Sequence, residues 1–319
     1  MKEFILGKRE RFSWVAEDDF DTGGDLSTGE VVGLNVDVRP NFSLSWQEIL
    51  TAGQDTRGTL GRKVGKRKYP YNLNFTPVNW RWLKYLMSVE DSSDGDAKIH
   101  TFSLANTVNT FKAEWAKRHT NNIVYTMTGN FIKSATISWN KPTGEGSEGF
   151  VRVSAECVAR NNSKGTSVTT LSDVTKDPFQ FRMVKVVING TEITEVNNGE
   201  MNINNGIDEN DSIYSNATHD ELIGSPIPKV FRLTGRFNIN VSDDSLFQLW
   251  DAGTEVSGEN SITFDRDGTG NDQIKFTFKG FYLNNPVEPT NLEGVNNVDL
   301  NWVADEFDSV VARDDIETY

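Results

Sequence analysis

The stretch Lys229–Trp250, KVFRLTGRFNINVSDDSLFQLW, indicates how this chain folds. From Phe231 to Val241, apolar residues alternate with polar ones. This alternation is typical of a long strand with one buried face. Ser242 can cap a following helix, whose apolar stripe ends at Trp250. We therefore predict a strand that leads directly into a short helix packed on its apolar face.

The first half of the chain contains a similar unit. Tyr71–Phe75 alternates in the same way, and Thr76-Pro77 then opens an apolar pattern with helical spacing. Further along, Tyr125–Gly129 matches Phe276–Gly280 in type and position. Because the elements recur in the same order, we interpret the sequence as a tandem duplication.

A chain of 319 residues can fill two cores, at about 150 residues per domain. We predict a first domain at 1–165, a linker at 166–176 and a second domain at 177–319. The polar stretch Asn161–Asp177 is expected to lack secondary structure. The predicted fold class is α+β and mostly β. It consists of two tandem antiparallel sheet or barrel units, each with one short helix packed on its sheet.

Several other segments carry specific expectations. Asn122–Thr128 and Lys133–Trp139 read as two strands, whereas Thr51–Lys68 and Val89–Asn109 read as long polar loops. We expect Val89–Asn109 to be an elaboration of the outer surface or a stacking contact.

Charge and targeting signals limit the possible functions. The 46 acidic and 32 basic residues give a net charge of −14, which argues against general affinity for nucleic acid or anionic lipid. No apolar run approaches the roughly 20 residues of a membrane span, and no signal peptide is evident. We expect a protein made and kept in the cytoplasm, or released by lysis. Cys157 is the only cysteine, so an intramolecular disulfide is excluded.

Three features resemble chemical sites but favour other interpretations. Gly144–Gly149 spells G-x-G-x-x-G, yet a strand rather than a helix follows, which indicates a hairpin loop. Asp265–Asp272 could offer oxygen ligands to calcium, but its spacing favours a solvated turn. His100, His119 and His219 lack metal-ligand spacing and read as surface residues. We therefore predict no catalytic, cofactor or metal site, and no enzyme.

The loops before the two matched strands carry opposite charges. The first contains the basic residues Arg57, Arg62, Lys63, Lys66, Arg67 and Lys68. The second contains the acidic residues Asp208, Glu209, Asp211, Asp220 and Glu221. Three interpretations stay open: solvated loops, an arm that contacts nucleic acid, and complementary contacts between subunits that set their register.

The strand-helix units at Tyr71–Met87 and Phe231–Trp250, each preceded by an extended loop, resemble the tail tube proteins of long-tailed viruses, which infect bacteria and archaea. The resemblance covers residues 10–310. It implies a structural virion protein, a major tail tube subunit. Duplicated members of this family form homotrimers, so the resemblance implies a pseudo-hexameric ring whose stacking makes the channel for DNA ejection.

The resemblance also implies partners and a location. The chain would bind copies of itself in stacked trimer rings, and other tail proteins such as the terminator, the baseplate and a sheath. Double-stranded DNA would be transient cargo only, and no membrane is involved. The protein would assemble in the host cytoplasm and reside in the virion tail.

If the sheets close into one barrel with the helices outside, their polar faces line a water-filled bore. The candidate lumen-facing residues are Arg152, Ser154, Glu156, Asn238, Asn240, Lys275, Thr277, Asp299 and Asn301. The family resemblance implies a negative bore, because phosphate would stick to a basic wall. These candidates carry both signs and leave the bore charge open.

Two alternatives remain. One is a baseplate hub or distal tail protein, since related folds recur there. The other is a β-rich surface adhesin or carbohydrate-binding module, in which Trp14, Trp46, Trp80, Trp115 and Trp139 would stack on sugars. Their positions within strand and helix patterns favour core or interface roles for these tryptophans.

Reversing the charge of the basic segment tests the intersubunit interpretation. Changing Arg62, Lys63, Lys66 and Arg67 together to Glu should block self-assembly at low salt, because like charges would then meet across the subunit boundary. Analytical ultracentrifugation would measure assembly. Normal assembly of the variant would defeat this interpretation.

Overall fold

A computed structural model of the chain describes residues 10–49, 61–94, 97–117, 122–144, 149–207, 224–241, 245–284, 296–316 and 319. These residues form one antiparallel sheet of 18 strands, and this sheet is not closed. The prediction of a mostly β, α+β fold is confirmed.

The strands follow in chain order. The first half contains β1 Glu10–Ala16, β2 Glu30–Val31, β3 Leu34–Pro40, β4 Ser43–Ile49, β5 Gly61–Thr76, β6 Ser88–Asp94, β7 Ala97–Ser103, β8 Phe111–Lys117, β9 Ile123–Asn140, β10 Arg152–Ala159 and β11 Asn161–Gly165. The second half contains β12 Val184–Ile188, β13 Thr191–Ile193, β14 Val196–Asn204, β15 Arg232–Val241, β16 Ser261–Asp265, β17 Gln273–Asn284 and β18 Asn296–Asp314.

The helices are short. The α-helix α1 is Ser245–Asp251, and 3₁₀ helices occur at Leu26–Thr28, Arg81–Tyr85 and Phe181–Met183. The predicted succession of strand and short helix is present in both units, because β5 is followed by the 3₁₀ helix at Arg81–Tyr85 and β15 by α1. The main sheet contact of α1 is with β17. The proposed cap Ser242 lies outside the described residues.

Eight strands lie side by side in what we call the long layer. Their order is β3-β5-β10-β9-β14-β15-β18-β17. Only the C-terminal parts of β9 and β17 and the N-terminal part of β18 belong to it. The other strands, apart from β4, which pairs with the N-terminal part of β5, form a covering layer. Its order is β2-β1-β8-β9-β11 on one half and β13-β12-β16-β17-β18-β7-β6 on the other.

Two strands pass from the covering layer to the long layer at matching glycines. Gly129 in β9 and Gly280 in β17 both have a φ of 61°, a conformation that favours glycine. Each backbone N–H donates to a glutamate, Glu17 at 2.8 Å and Glu255 at 3.1 Å respectively. The matched sequence segments therefore bend in the same way.

The two halves share one order of pairing. In the first half the pairs are β1–β8, β8–β9, β9–β10, β10–β5 and β5–β3. In the second half they are β12–β16, β16–β17, β17–β18, β18–β15 and β15–β14. The long strand β18 takes the place of both β10 and β11. Strands β4, β6 and β7 have no counterpart among the described residues of the second half.

Aromatic side chains fill the space between the layers. Trp14 of β1 packs edge-on against Phe75 of β5, with ring centroids 6.2 Å apart. Trp139 of β9 contacts Phe264 of β16 in the second half, with ring centroids 5.4 Å apart. The apolar core is continuous from the first half to the second. The division into two domains at 166–176 stays a prediction.

Trp80 connects the two halves within this core. It precedes the 3₁₀ helix of the first half, and its ring lies 5.1 Å from Phe264 and 5.9 Å from Phe276, both in the second half. Phe179, which follows the predicted linker, contacts the same ring at 5.1 Å. Trp80 is 1% exposed. The first half therefore contributes a core residue to the second.

The stretch between the halves is more ordered than its sequence indicates. Asn161–Gly165, expected to lack secondary structure, is strand β11 and pairs with β9. Further on, Thr169 donates its hydroxyl to Glu114 at 2.7 Å, and Glu114 forms a buried ion pair with Arg11 at 2.9 Å. Arg11 also donates to the Thr169 carbonyl. Alternation in the sequence did not predict the structure of this stretch, because the contacts that fix it come from residues distant in the chain.

Two further expectations need correction. β9 is one continuous strand rather than two, since its bend at Gly129 does not interrupt it. Val89–Asn109 is not a simple loop: β6 and β7 form a hairpin within it, and β7 pairs with β18. This hairpin ties the first half to the last strand of the second.

His100 of β7 is fully buried at this tie, contrary to the prediction of a surface histidine. Its ring nitrogens lie 2.7 Å from Asp91 and 3.2 Å from Asp314, and the Tyr319 ring stacks on it at 3.6 Å. Burial alone would lower the pKa of His100, but its hydrogen bonds with Asp314 and Asp91 outweigh burial and raise the pKa. His119 and His219 lie outside the described residues.

Truncating Trp80 tests the shared core. Trp80→Ala should lower the free energy of unfolding by about 3–5 kcal/mol, because it leaves a cavity between the two halves. Urea denaturation would measure this loss. The control Ile227→Ala removes a side chain that is 58% exposed and should cost less than about 0.5 kcal/mol. Equal losses in the two variants would contradict the shared core.

His100 gives the stability a pH dependence with a defined sign. Because its folded pKa is raised, its contribution is complete below the unfolded pKa of about 6.5 and is lost as pH rises through the folded pKa. The wild type should therefore exceed His100→Gln in melting temperature most at mildly acidic pH. Thermal unfolding across the neutral and alkaline range would test this, and a constant difference would contradict it.

Candidate assembly surface

The polar side chains of the long layer share one face, which we call the polar face. In β10, Arg152, Ser154 and Glu156 are exposed, whereas Val153 and Ala155 between them are buried. The alternation follows from the pleat of a strand, which sends successive side chains to opposite faces. The structure thus brings together the three candidates of the first half.

The candidates of the second half lie on the same face. Asn238 of β15 donates to Asp299 of β18 at 2.8 Å, and these residues stand opposite each other in the two strands. Asn240 accepts a hydrogen bond from Asn197 at 2.8 Å. Asn301 is exposed beside Asp299 on β18. Seven of the candidate lumen-facing residues therefore share one surface.

Lys275 and Thr277 lie elsewhere. They belong to the N-terminal part of β17, before its bend at Gly280, and therefore to the covering layer. Lys275 forms an ion pair with Glu259 at 2.7 Å. Hydrogen bonds from Lys275 and Ser261 lower the pKa of Glu259. These two candidates do not join the polar face.

The polar face also contains residues that were not among the candidates. They are Asp37 and Arg39 of β3, Asn72 and Asn74 of β5, Lys133, Thr136 and Ser138 of β9, Glu200 and Asn202 of β14, and Arg232 and Arg236 of β15. Their alternation with apolar neighbours was visible in the sequence of β5 and β14. What was not visible is that β9 and β14 lie side by side.

Charges on the polar face nearly cancel. Its described side chains include five bases, Arg39, Lys133, Arg152, Arg232 and Arg236, and four acids, Asp37, Glu156, Glu200 and Asp299. Arg39 contacts Asp37 at 2.7 Å and Lys133 contacts Glu156 at 2.9 Å. Arg236 lies 3.8 Å from Glu200 and 4.0 Å from Asp299. The rest of the face is rich in asparagine, serine and threonine.

The edge between the two halves is joined by backbone hydrogen bonds. β14 pairs with β9 from Asn198 to Asn204. The junction is extended by the Lys141 N–H, which donates to the Asn197 carbonyl at 2.7 Å, and by the Asn205 N–H, which donates to Lys133 at 3.0 Å. An antiparallel edge of one half is therefore covered by the other half.

The corresponding edge of the first half, on β3, is open. Val38 of β3 pairs with Leu73 of β5. Gly199 holds the equivalent position in β14, where it pairs with Phe237 of β15. The Asn41 N–H donates to the Pro70 carbonyl of β5 at 2.8 Å. Residues of an antiparallel strand direct their backbone groups alternately toward and away from the partner strand, so those of Val38 and Pro40 point away from β5. Within the described part of the chain, the only residue register of β3 is the one with β5. Such an edge is a template for another strand.

The basic segment is not a loop throughout. Arg62, Lys63, Lys66, Arg67 and Lys68 belong to β5, which pairs with β4 in an extended hairpin. Arg57 and the acidic residues of the second half lie outside the described residues. The contacts between these charged segments stay a prediction.

The comparison with known families decides the class of the protein. The family model for phage tail tube proteins matches residues 7–304. The chain belongs to this family. It is a structural tail tube subunit of the virion tail. No curated protein matches the chain significantly in sequence.

Sites of other kinds find little support in the part of the chain that the structure describes. No group of three or more His, Cys, Asp or Glu side chains there could hold a metal ion. Cys157 is a buried free thiol, and burial raises its pKa well above the ordinary value. Among the described helices, none is long and apolar enough to cross a membrane.

The candidate tryptophans whose side chains the structure describes do not form a sugar-binding surface. Trp14, Trp80, Trp115 and Trp139 are each at most 3% exposed. The side chain of Trp46 lies outside the described ones. Because a sugar needs an exposed aromatic face for stacking, these four residues serve the core, as the sequence favoured.

Proposed function

We propose that three copies of this chain close into a ring with pseudo-sixfold symmetry, and that stacked rings form the tube through which double-stranded DNA passes. The junction between β9 and β14 is the observation that carries this proposal. It shows one way in which two neighbouring halves can join edge to edge. A ring follows when the same junction repeats between copies.

The open edge of β3 supplies one side of the junction between copies. In the second half, the edge of β14 is covered by β9, and β17 is the counterpart of β9. The β17 side of one copy would therefore meet β3 of the next. Six such halves would leave few strand edges free and would turn every polar face toward a common axis.

A tandem duplication accounts for this pseudo-symmetry. The matching pairing order and the matching bends at Gly129 and Gly280 support it. Two independent origins would have to produce the same strand order, the same strand-helix unit and the same positive φ. Residue identity between the halves is low, so the pairing order carries the argument.

Other partners follow from a place in a tail. The extended hairpin of β4 and β5, and the segment between β14 and β15, would contact neighbouring copies, the next ring, or the terminator, baseplate and sheath. Assembly would take place in the host cytoplasm. The chain would have no catalytic activity. A hub or distal tail protein is the weaker candidate, because the family match is to tube proteins.

A proline on the open edge tests ring closure. Val38→Pro removes an N–H that points away from β5, on an edge where Pro40 already lacks one, so two successive outward donors are missing and pairing with the next copy should fail while β3–β5 stays intact. Val38→Ala is the matched control, because it also truncates this buried side chain but keeps the N–H. Negative-stain electron microscopy and sedimentation would compare them.

Rings or tubes should form with Val38→Ala and not with Val38→Pro. Circular dichroism and thermal unfolding should show that both variants are folded to the same extent. Assembly of Val38→Pro equal to that of the control would refute this edge as the site of closure.

A further inference from the structure

The ion pairs of the polar face have a consequence for its contact with DNA. Arg39, Lys133 and Arg236 each have a carboxylate within 4.0 Å. In two of these pairs the partner stands on the neighbouring strand: Glu156 of β10 beside β9, and Glu200 of β14 beside β15. The carboxylates are therefore spread across the face between the bases.

This arrangement differs from the charge of the chain as a whole. The net charge is −14, yet the polar face carries nearly equal numbers of bases and acids. Most of the excess acidity therefore lies away from this face. The polar face is therefore neither strongly negative nor strongly basic.

We infer that Asp37, Glu156 and Glu200 are built-in counter-ions, which keep Arg39, Lys133 and Arg236 from binding the phosphates of passing DNA. This inference rests on the proposed function, since the polar face must line the bore. A phosphate that approaches Arg39 or Lys133 also approaches the paired carboxylate. Because the opposite charges lie 2.7 and 2.9 Å apart, their fields oppose each other at the phosphate, and salt screens the remainder beyond one Debye length.

The uncharged residues complete the arrangement. Asn202 donates to Thr136 at 2.8 Å across the junction of β14 and β9, and Asn238 donates to Asp299 at 2.8 Å. The side-chain amides of Asn202 and Asn238 therefore donate to other residues of the polar face. A duplex would then meet a wall on which three of the five bases have a carboxylate partner, which favours sliding over binding.

Releasing the bases should convert the polar face into a DNA-binding surface. The bore variant combines Asp37→Asn, Glu156→Gln and Glu200→Gln. Asp299 is kept because Asn238 donates to it, so Arg236 loses Glu200 but retains this carboxylate at 4.0 Å. The probe is a short fluorescein-labelled DNA duplex, and fluorescence anisotropy measures its binding to the free chain and to assembled tubes across a salt series.

A matched control frees three bases on the covering layer. It combines Glu192→Gln, Glu259→Gln and Glu306→Gln, whose partners are Lys185, Lys275 and Lys279 at 2.6, 2.7 and 2.5 Å. Both variants lose three negative charges. General electrostatic attraction therefore changes equally, and only the place of the freed bases differs.

The bore variant should bind the duplex about tenfold more tightly than the wild type at low salt. The slope of its log affinity against log salt concentration should be steeper by about 0.9 per added phosphate contact. The control should bind like the wild type. Equal binding by both variants, or no gain in the bore variant, would overturn the inference.

Electron microscopy of the same samples separates the two proposals. Absence of rings in the wild type would reject the proposed assembly, whereas rings without a DNA-binding gain in the bore variant would reject only the counter-ion role.

Discussion

The backbone hydrogen bonds between β9 and β14 determine the arrangement of the rest of the chain. They join two halves with the same pairing order into one layer of eight strands. Because successive side chains of a strand point to opposite faces, this single junction gathers the polar residues of both halves on one surface. The opposite face then meets the covering layer, and the aromatic core forms between them. A slip of one residue at the junction would exchange the two faces.

Local alternation was enough to find most strands of the fold. β15, β16 and β17 lie close to where their sequences placed them, since the period of two is a local property. The hairpin of β6 and β7 escaped detection. β6 is rich in serine and acidic residues, and β7 is held by its pairing with β18, more than 200 residues away in sequence. Strand formation there depends on tertiary partners rather than on local preference.

The polar face was predictable in part for a related reason. Alternation identifies the polar side of a strand, but it does not tell in which layer the strand lies. Asn238 and Asp299 belong to strands of the long layer, whereas Lys275 and Thr277 precede the bend at Gly280 and lie in the covering layer. The burial of His100 was equally hidden, because one of its two carboxylate partners, Asp314, belongs to the other half of the chain.

The junctions of a closed tube would not all be equal in strength. Within a chain, the two halves are fastened twice, once by β9 on β14 and once by β7 on β18. Between chains, β3 carries Pro40 where β14 carries Met201, so one backbone donor is missing, and the described part of the second half has no hairpin like β6 and β7. Under mechanical load, such a cylinder would separate at its three junctions between chains. It would lose whole protomers, while the three junctions within chains would hold.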